Sequence, residues 1–373
     1  MKVFITDADF KHALSALRSL GKKGIYVIAG SSVKHSQSFY SKYCKEKVIY
    51  PMPRNENAFV RFMLEYLKNN KIDVLLPIGY LATTTISKYQ DEFRKYTKLP
   101  VAGEDSIRIA CNKDKTMKFA EKLGVKIPKI YKRVEEITVF PVVVKGIRES
   151  GNVRYVNSAE ELSVIKTDEC ILQEYVPGEG YGFFSLFNMG EARAIFMHKR
   201  TREYPITGGP STAAESVYDN ELKDTGLKLL KALNWHGIAM VEFKKDIKDG
   251  TFKLMEINPK FWGSLDLAIA AGVDFPYLAV KMAAEGDVVP VFNYDVGVKY
   301  RWPFPDDALH ALAKPSSIKF FVRDFFNKRV KSNIWVSDIK PNLFQFFTTI
   351  YKIISLVKNR LLKYPHGIPK LKI

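Results

Sequence analysis

The sequence predicts an α/β protein in three parts: an open α/β domain at the N-terminus, a mixed α+β module after it, and a basic helical tail. Three observations predict this. The chain opens with an apolar run at 2–6, a helical pattern in Phe10, Ala13, Leu14, Leu17 and Leu20, and a second apolar run at 24–30. Strand, helix and strand in that order read as a βαβ unit with a parallel sheet. Residues 241–265, VEFKKDIKDGTFKLMEINPKFWGSL, read as two strands around the polar turn Asp246 to Gly250, a β-hairpin that carries acids. Residues 343–362 place Leu343, Phe346, Phe347, Ile350, Ile353, Ile354, Val357 and Leu361 on one helical face. They lie in a segment, 314–373, with 13 Lys or Arg against two Asp, a net of +11.

Size and composition bound these parts. At 373 residues, 46% hydrophobic and 26% charged, the chain has room for two or three domains and a sizeable core. Cys44, Cys111 and Cys170 are far apart and lack metal-ligand spacing, which argues against a disulfide framework or a zinc site. The N-terminus has no signal core, and no uninterrupted apolar run reaches the ~18 residues of a membrane span. A cytoplasmic protein is expected. Most of the formal charge of +18 lies in the last sixth of the chain, where a basic surface can face phosphates, nucleic acid or an anionic membrane. No nucleic-acid-binding motif accompanies it, so no nucleic-acid partner is expected.

In chain order, Gly21 is expected to stop the first helix. Gly30-Ser31-Ser32, at a strand end, forms either an ordinary turn or an anion-binding one, since ligands of such sheets gather at strand carboxyl ends. A helix at 57–68 and a buried strand at 72–79 complete the first hundred residues, which lack G-x-G-x-x-G. After a boundary near 100–105, Asn112 to Lys115 open a helix that ends at Gly124. Pro141 to Lys145 reads as a fully buried strand carrying a lysine. A lysine there is seldom buried without an anionic partner, which makes Lys145 a candidate phosphate ligand. Ser150-Gly151-Asn152 then form a short loop whose N–H groups could close over phosphates.

Ile171-Leu172 end a strand, and Pro177-Gly178 turn the chain. Phe183 to Phe187 and Ala192 to Met197 form a hairpin around Asn188 to Glu191. It leads to Arg200 and Arg202, which share a side if the strand continues, and to Gly208-Gly209-Pro210-Ser211-Thr212. Arginine forks match phosphate and carboxylate oxygens, so both are candidates for a transferred phosphate or a substrate carboxylate. His198 is expected to be structural. A helix at 219–233 returns to the acidic hairpin, where Glu242 lies on one strand while Glu256 and Asn258, two apart, share a face of the other. Three hard oxygen ligands suit Mg²⁺ held together with nucleotide phosphates. Helices at 265–271 and 276–284, broken at Gly272, close the module.

Glu242, Glu256-Ile257-Asn258-Pro259 and Phe261-Trp262-Gly263-Ser264 together resemble the metal-binding end of the ATP-grasp superfamily. The likeness is closest to carboxylate-amine ligases and carbamoyl-phosphate-synthase-like proteins, and covers residues 1–290 or so. It implies an ATP-grasp fold, with an open α/β pre-ATP-grasp domain at 1–104. The ATP-grasp module would follow at 105–292, in subdomains of about 105–172 and 173–292, with a basic C-terminal helical extension at 293–373. It implies ATP and Mg²⁺, with Mn²⁺ as a substitute, and a reaction in which ATP phosphorylates a carboxylate and an amine attacks the acyl phosphate.

The resemblance also implies roles by position. Glu242, Glu256 and Asn258 would hold the metal, Lys115 and Lys145 would bind nucleotide phosphates, Glu174, Tyr175 and Val176 would meet adenine, and Glu179 would accept from the ribose. Arg200, Arg202 and Lys260 would be the catalytic cations. Lys260 stands where the family usually has arginine, a cation without the planar fork. Small carboxylate and amine substrates are the implied partners, and a homodimer is the assembly the family suggests. Two further readings stay open: a bicarbonate-activating enzyme akin to carbamoyl-phosphate enzymes and carboxylases, and a non-catalytic ATP-binding protein of the membrane surface. As most amphipathic helices in soluble proteins do, 343–362 is expected to cover the protein's own core or a dimer partner. Its basic flanks also allow peripheral contact of 314–373 with an anionic membrane, at the inner face.

Overall fold

The structure, a computed structural model, describes residues 1–147, 153–165, 170–359 and 361–363. Its first four strands, β1 (Lys2–Ile5), β2 (Tyr26–Ser31), β3 (Cys44–Ile49) and β4 (Val74–Leu76), pair in parallel in the order β3-β2-β1-β4. α1 (Lys11–Lys22) crosses from β1 to β2 and α2 (Glu56–Asn69) from β3 to β4, the kind of connection a parallel pair requires. Asn55 caps α2 by accepting from the Ala58 N–H at 3.3 Å. Gly21 does not stop α1. It lies within the helix, where a Cβ would sit 2.5 Å from the Tyr43 Cβ. The chain turns instead at Gly24, whose φ of +79° is a left-handed conformation that glycine adopts without steric cost. At the end of β2, the Ser31 hydroxyl donates to Asp9 at 2.9 Å. After β4 come α3 (Tyr80–Lys88), α4 (Gln90–Phe93), α5 (Glu104–Ala110) and α6 (Lys113–Lys122).

A small antiparallel sheet follows, in the order β5-β8-β6-β7, from β5 (Ile130–Tyr131), β6 (Val142–Gly146), β7 (Val153–Val156) and β8 (Cys170–Glu174), with α7 (Ala159–Ser163) beside β7. Tyr131, Val142, Val144, Val156, Leu162 and Leu172 give it an apolar cluster of its own. The loop expected at Ser150-Gly151-Asn152 lies outside the described residues. A seven-stranded sheet comes next, in the order β13-β12-β9-β10-β11-β14-β15. Its strands are β9 (Gly178–Asn188), β10 (Glu191–Glu203), β11 (Ser211–Ser216), β12 (Gly237–Asp246), β13 (Phe252–Asn258), β14 (Lys299–Arg301) and β15 (Val330–Ser332). α8 (Asn220–Ala232) precedes β12, and α9 (Leu265–Ala270) and α10 (Phe275–Glu285) follow β13. One apolar cluster joins Val3, Leu17 and Val27 to Phe184, Phe196 and Trp262; a second joins Phe59, Met63 and Leu75 to Phe183, Leu230 and Val241. The parallel sheet and the large sheet thus share a core, and the small sheet stands on its own cluster.

The boundary expected after residue 292 is crossed by the large sheet, because β14 and β15 belong to it and Tyr300 and Trp302 enter the shared core. Among the described residues, the α-helices of this part are α11 (Ala308–Ala313), α12 (Ile318–Phe326) and α13 (Lys340–Lys358). α13 is the amphipathic helix of the sequence, packed in reverse. Pro341, Asn342, Gln345 and Thr349 are its buried residues, while Leu343, Phe347 and Ile354 are 50%, 66% and 62% exposed. The cause is a buried guanidinium. Arg18 of α1 donates to Asp338 Oδ2 at 2.9 Å, to the Asp338 and Asn333 carbonyls at 2.7 and 2.9 Å, and to Asn342 Oδ1 at 3.0 Å. A buried charge must be paired and hydrogen-bonded, and the polar edge of α13 and the segment before it supply the acceptors. The apolar stripe therefore does not cover the protein's own core.

Candidate active site

Between the small sheet and the face of the large sheet formed by β9, β10, β12 and β13 lies a cavity of about 440 Å³, a volume ordinary for a small-ligand site. The acidic hairpin forms its polar side. Glu242 of β12 is registered directly opposite Glu256 of β13, and Met240 opposite Asn258. The two-residue period carries Glu256 and Asn258 to the same face. Asn258 Nδ2 donates to Glu256 at 2.8 Å and to Glu242 at 3.3 Å, and Arg200 of β10 donates to the other Glu242 oxygen. Five cations, Lys113, Lys145, Arg200, Lys244 and Lys260, line the cavity against these two carboxylates, and Phe184, Met240, Met255 and Trp262 make an apolar wall. The 205–211 segment closes one side. Arg200 donates to the Gly209 carbonyl at 3.1 Å, and Tyr155 of the small sheet donates to that of Thr207.

The charges are held out of water. Burial pushes the Lys145 ammonium down to about 8, with Glu256 opposing, and it likewise lowers Lys244 and Lys260. Burial raises the Glu242 carboxyl; Arg200 opposes this and the charge of Glu256 adds to it. Burial acts the same way on Glu256, but the hydrogen bond from Asn258 and the charges of Lys113, Lys145 and Lys260 outweigh it and hold that carboxyl below its usual range. A cavity in which desolvated cations outnumber carboxylates is stabilised by a bound polyanion. Among the described residues no three His, Cys, Asp or Glu side chains gather. Two carboxylates and one amide still fit Mg²⁺, which is usually held by one or two carboxylates and completes its octahedron with waters and substrate phosphates.

Lys145, Arg200, Glu242, Glu256, Asn258 and Lys260 thus meet in one cavity. The other expected residues stand elsewhere. Lys115 is exposed on α6, and Lys113 lines the cavity instead. The signal was in the sequence: with Asn112 as the cap, Lys113 falls in line with the buried Thr116, Met117 and Ala120, and Lys115 does not. Arg202 is turned away by a bulge in β10 between Arg200 and Arg202, which breaks the alternation on which the shared side depended. It pairs with Asp307 at 2.8 Å and with Asp324 at 3.0 Å.

The linker residues are outside the cavity lining. Glu174 pairs with Lys253 at 2.7 Å, the Val176 carbonyl accepts from Lys244 at 3.1 Å, and Glu179 accepts from the Tyr181 hydroxyl at 3.2 Å. Tyr175 packs edge-on against the lining Tyr155, ring centroids 5.7 Å apart. His198, expected to be structural, does line the cavity. Its Nε2 shares a 2.7 Å hydrogen bond with Ser264 Oγ, its ring lies 4.6 Å from Phe184, and burial pushes it down to about 3. A neutral imidazole of that kind orients Ser264 and carries no charge.

Comparison with known proteins adds to this geometry. Residues 166–302 match a family model described as ATP-grasp in the biosynthetic pathway with Ter operon. Over 179 residues the chain is 38% identical to a D-alanine--D-alanine ligase of Fusobacterium nucleatum subsp. nucleatum, covering 44% of this chain and 60% of that one. Over 345 residues it is 24% identical to the carbamoyl phosphate synthase large chain of Methanobrevibacter smithii, covering 80% of this chain and 32% of that one. The chain therefore spans less than two thirds of the length of either relative. Among solved structures, a biotin carboxylase of Campylobacter jejuni in a β,γ-ATP complex superposes with a TM-score of 0.64 at 16% identity, over 80% of this chain and 74% of that one.

Proposed function

We propose that this chain is an ATP-grasp ligase that activates a carboxylate as an acyl phosphate and joins it to an amine, a reading supported by the family match over residues 166–302 and by the shared fold. The observation that carries this reading is the opposed pair Glu242 and Glu256, with Asn258 beside them, in a cavity whose cations outnumber its carboxylates. Glu242, Glu256 and Asn258 would hold Mg²⁺, with Mn²⁺ as its substitute, and the ion supplies charge neutralisation at the β- and γ-phosphates when bound. Lys145 of the small sheet and Lys113 of α6 neutralise phosphate oxygens. Arg200 and Lys260 stabilise the charge that develops on the transferred phosphoryl group. An oxygen of the carboxylate attacks the γ-phosphorus and ADP leaves. The neutral amine then attacks the acyl carbon, inorganic phosphate leaves with the bonding pair, and the amine's proton is released. Phe184, Met240, Met255 and Trp262 keep water from the acyl phosphate, which water would hydrolyse.

Glu174, Tyr175, Val176 and Glu179 remain the proposed adenine and ribose contacts, since they connect β8 of the small sheet to β9 of the large one. Lys113 takes the role first given to Lys115, and Arg202 serves the fold. A homodimer and a cytoplasmic location, peripheral to the inner face of a membrane, complete the proposal. One second reading has a specific support, the likeness to a carbamoyl phosphate synthase over 80% of this chain. In it, bicarbonate is the acid that is phosphorylated.

The deciding experiment measures ADP release with Mg²⁺ against amino acids, small carboxylates and bicarbonate, wild type beside Glu256→Gln. One organic acid that triggers release, trapped by hydroxylamine as a hydroxamate, is the expected result. Release triggered by bicarbonate alone selects the second reading. ATP binding without ADP release in the presence of any acid defeats both.

A further inference from the structure

α12 is packed as α13 is, with its polar edge inward. Asp324 is its buried residue and accepts from Arg202 at 3.0 Å, while Phe325 and Phe326 are 44% and 83% exposed. On α13 the apolar stripe is open over Phe346, Phe347, Ile350 and Ile354. The two faces are continuous, because Phe304 lies between them, 6.4 Å from Phe325 and 5.2 Å from Phe346 by ring centroids. Neither helix can rotate its apolar face inward without breaking Arg202–Asp324 or the Arg18 contacts to Asp338 and Asn342. Monomeric proteins rarely leave a contiguous apolar surface of this kind open to water unless something binds there.

The charge around the patch says what binds. The two acids of 314–363, Asp324 and Asp338, are both buried and paired with arginine. Among the described residues of this stretch, the exposed charge is therefore cationic throughout, and includes Lys319, Arg323, Lys340, Lys352 and Lys358. An apolar stripe bordered by an excess of cations, of which Arg323 shares the buried Asp324 at 3.3 Å, matches a bilayer with an anionic surface, where acyl chains receive the rings and lipid phosphates receive the lysines. A second copy of the chain would set two cationic borders against each other, which opposes self-association through this face. No helix among the described residues is long and apolar enough to cross a membrane, which leaves the interfacial orientation.

We propose that α12 and α13, joined through Phe304, form one rigid platform that docks this protein on an anionic lipid bilayer. The platform rests on surface geometry and does not depend on which acid and amine are joined. The test is sedimentation of the full chain with vesicles of phosphatidylcholine alone, or with about 30% phosphatidylglycerol added, at low and high salt. Two variants probe the two components: Phe347→Asp with Ile354→Asp for the stripe, and Lys352→Glu with Lys358→Glu for the border. Wild-type ATP affinity in each variant reports an intact fold. The expected result is binding to the phosphatidylglycerol vesicles that salt weakens, and that each double variant lowers by about tenfold or more. Equal binding to both vesicle types, or none to the anionic ones at low salt, overturns the proposal. So does a dimer that the Phe347 and Ile354 variant splits in light scattering while vesicle binding is unchanged.

Discussion

Lys145 is where burial and charge act together on one side chain. Its ammonium, lowered to about 8 by desolvation against the pull of Glu256, is charged at neutral pH but loses its proton as the pH passes that value. A phosphate bound beside it favours the charged form, so binding above about pH 8 takes up a proton and affinity falls by up to about tenfold per pH unit. Calorimetric titration with ATP in buffers of different ionisation enthalpy reads both the affinity and the proton. A wild-type affinity that stays flat up to about pH 9 would remove Lys145 from the phosphate site. The sign for the free protein is the opposite: the depressed ammonium lowers stability below about 8, and that cost shrinks as the pH climbs toward the unfolded value. The two arginines separate along similar lines. Arg202→Ala leaves Asp307 and Asp324, whose side chains are 1% and 5% exposed, with only the longer ion pairs to Arg301 at 3.7 Å and to Arg323 at 3.3 Å, and should lower unfolding free energy by about 2 kcal/mol in urea titration. Arg200→Ala lets the already raised Glu242 take up a proton, and should lower ADP release by about 10²-fold with a smaller loss of stability. Sequence spacing could not tell these two apart, because the bulge that divides them is a property of the pairing with β11. Glu256 and Asn258 were legible since both lie on an unbroken two-residue period.

At the scale of elements, the small sheet is the part whose core is its own. Its apolar cluster is separate from the two that bind the parallel and large sheets into one body. It delivers Lys145 and Tyr155 to the cavity, and Tyr155 reaches the opposite wall through the Thr207 carbonyl. Nucleotide should therefore slow amide hydrogen exchange in β6 and β7 more than in β12, whose strand sits inside the shared core. Equal slowing in all three would mean that the small sheet is as fixed as the rest. Legibility at this scale follows the range of the cause. The opening βαβ unit, the β9–β10 hairpin and the acidic hairpin were readable because apolar periodicity and turn residues act within a few residues. The helix of α13 was readable for the same reason. Which of its faces turns inward was not, since that is decided by Arg18, 320 residues away from Asp338 in sequence.

For the whole molecule, the question is whether the residues after 292 are an appendage or part of the fold, and the contacts favour the second. β14 and β15 extend the large sheet, and the Trp302 indole, fully buried, donates to Asp266 of α9 at 3.0 Å. Lys11 of α1 pairs with Asp306, and Arg18 of the same helix is satisfied almost wholly by residues 333–342. Removing residues 293–373 would thus leave β11 as an open sheet edge and take Tyr300 and Trp302 out of the shared core, each a recognised source of large destabilisation or aggregation. A chain truncated after residue 292 should be insoluble or unfold well below the intact protein, even though every residue now placed in the cavity lies before that point. A chain with only the apolar stripe made polar, by contrast, should keep its melting temperature within a few degrees, because those side chains already face water. Differential scanning calorimetry of the two distinguishes a structural tail from a dispensable one. A truncated chain that melts cooperatively near the intact value would show that the large sheet closes at β11 unaided, and that the extension is carried for the membrane alone.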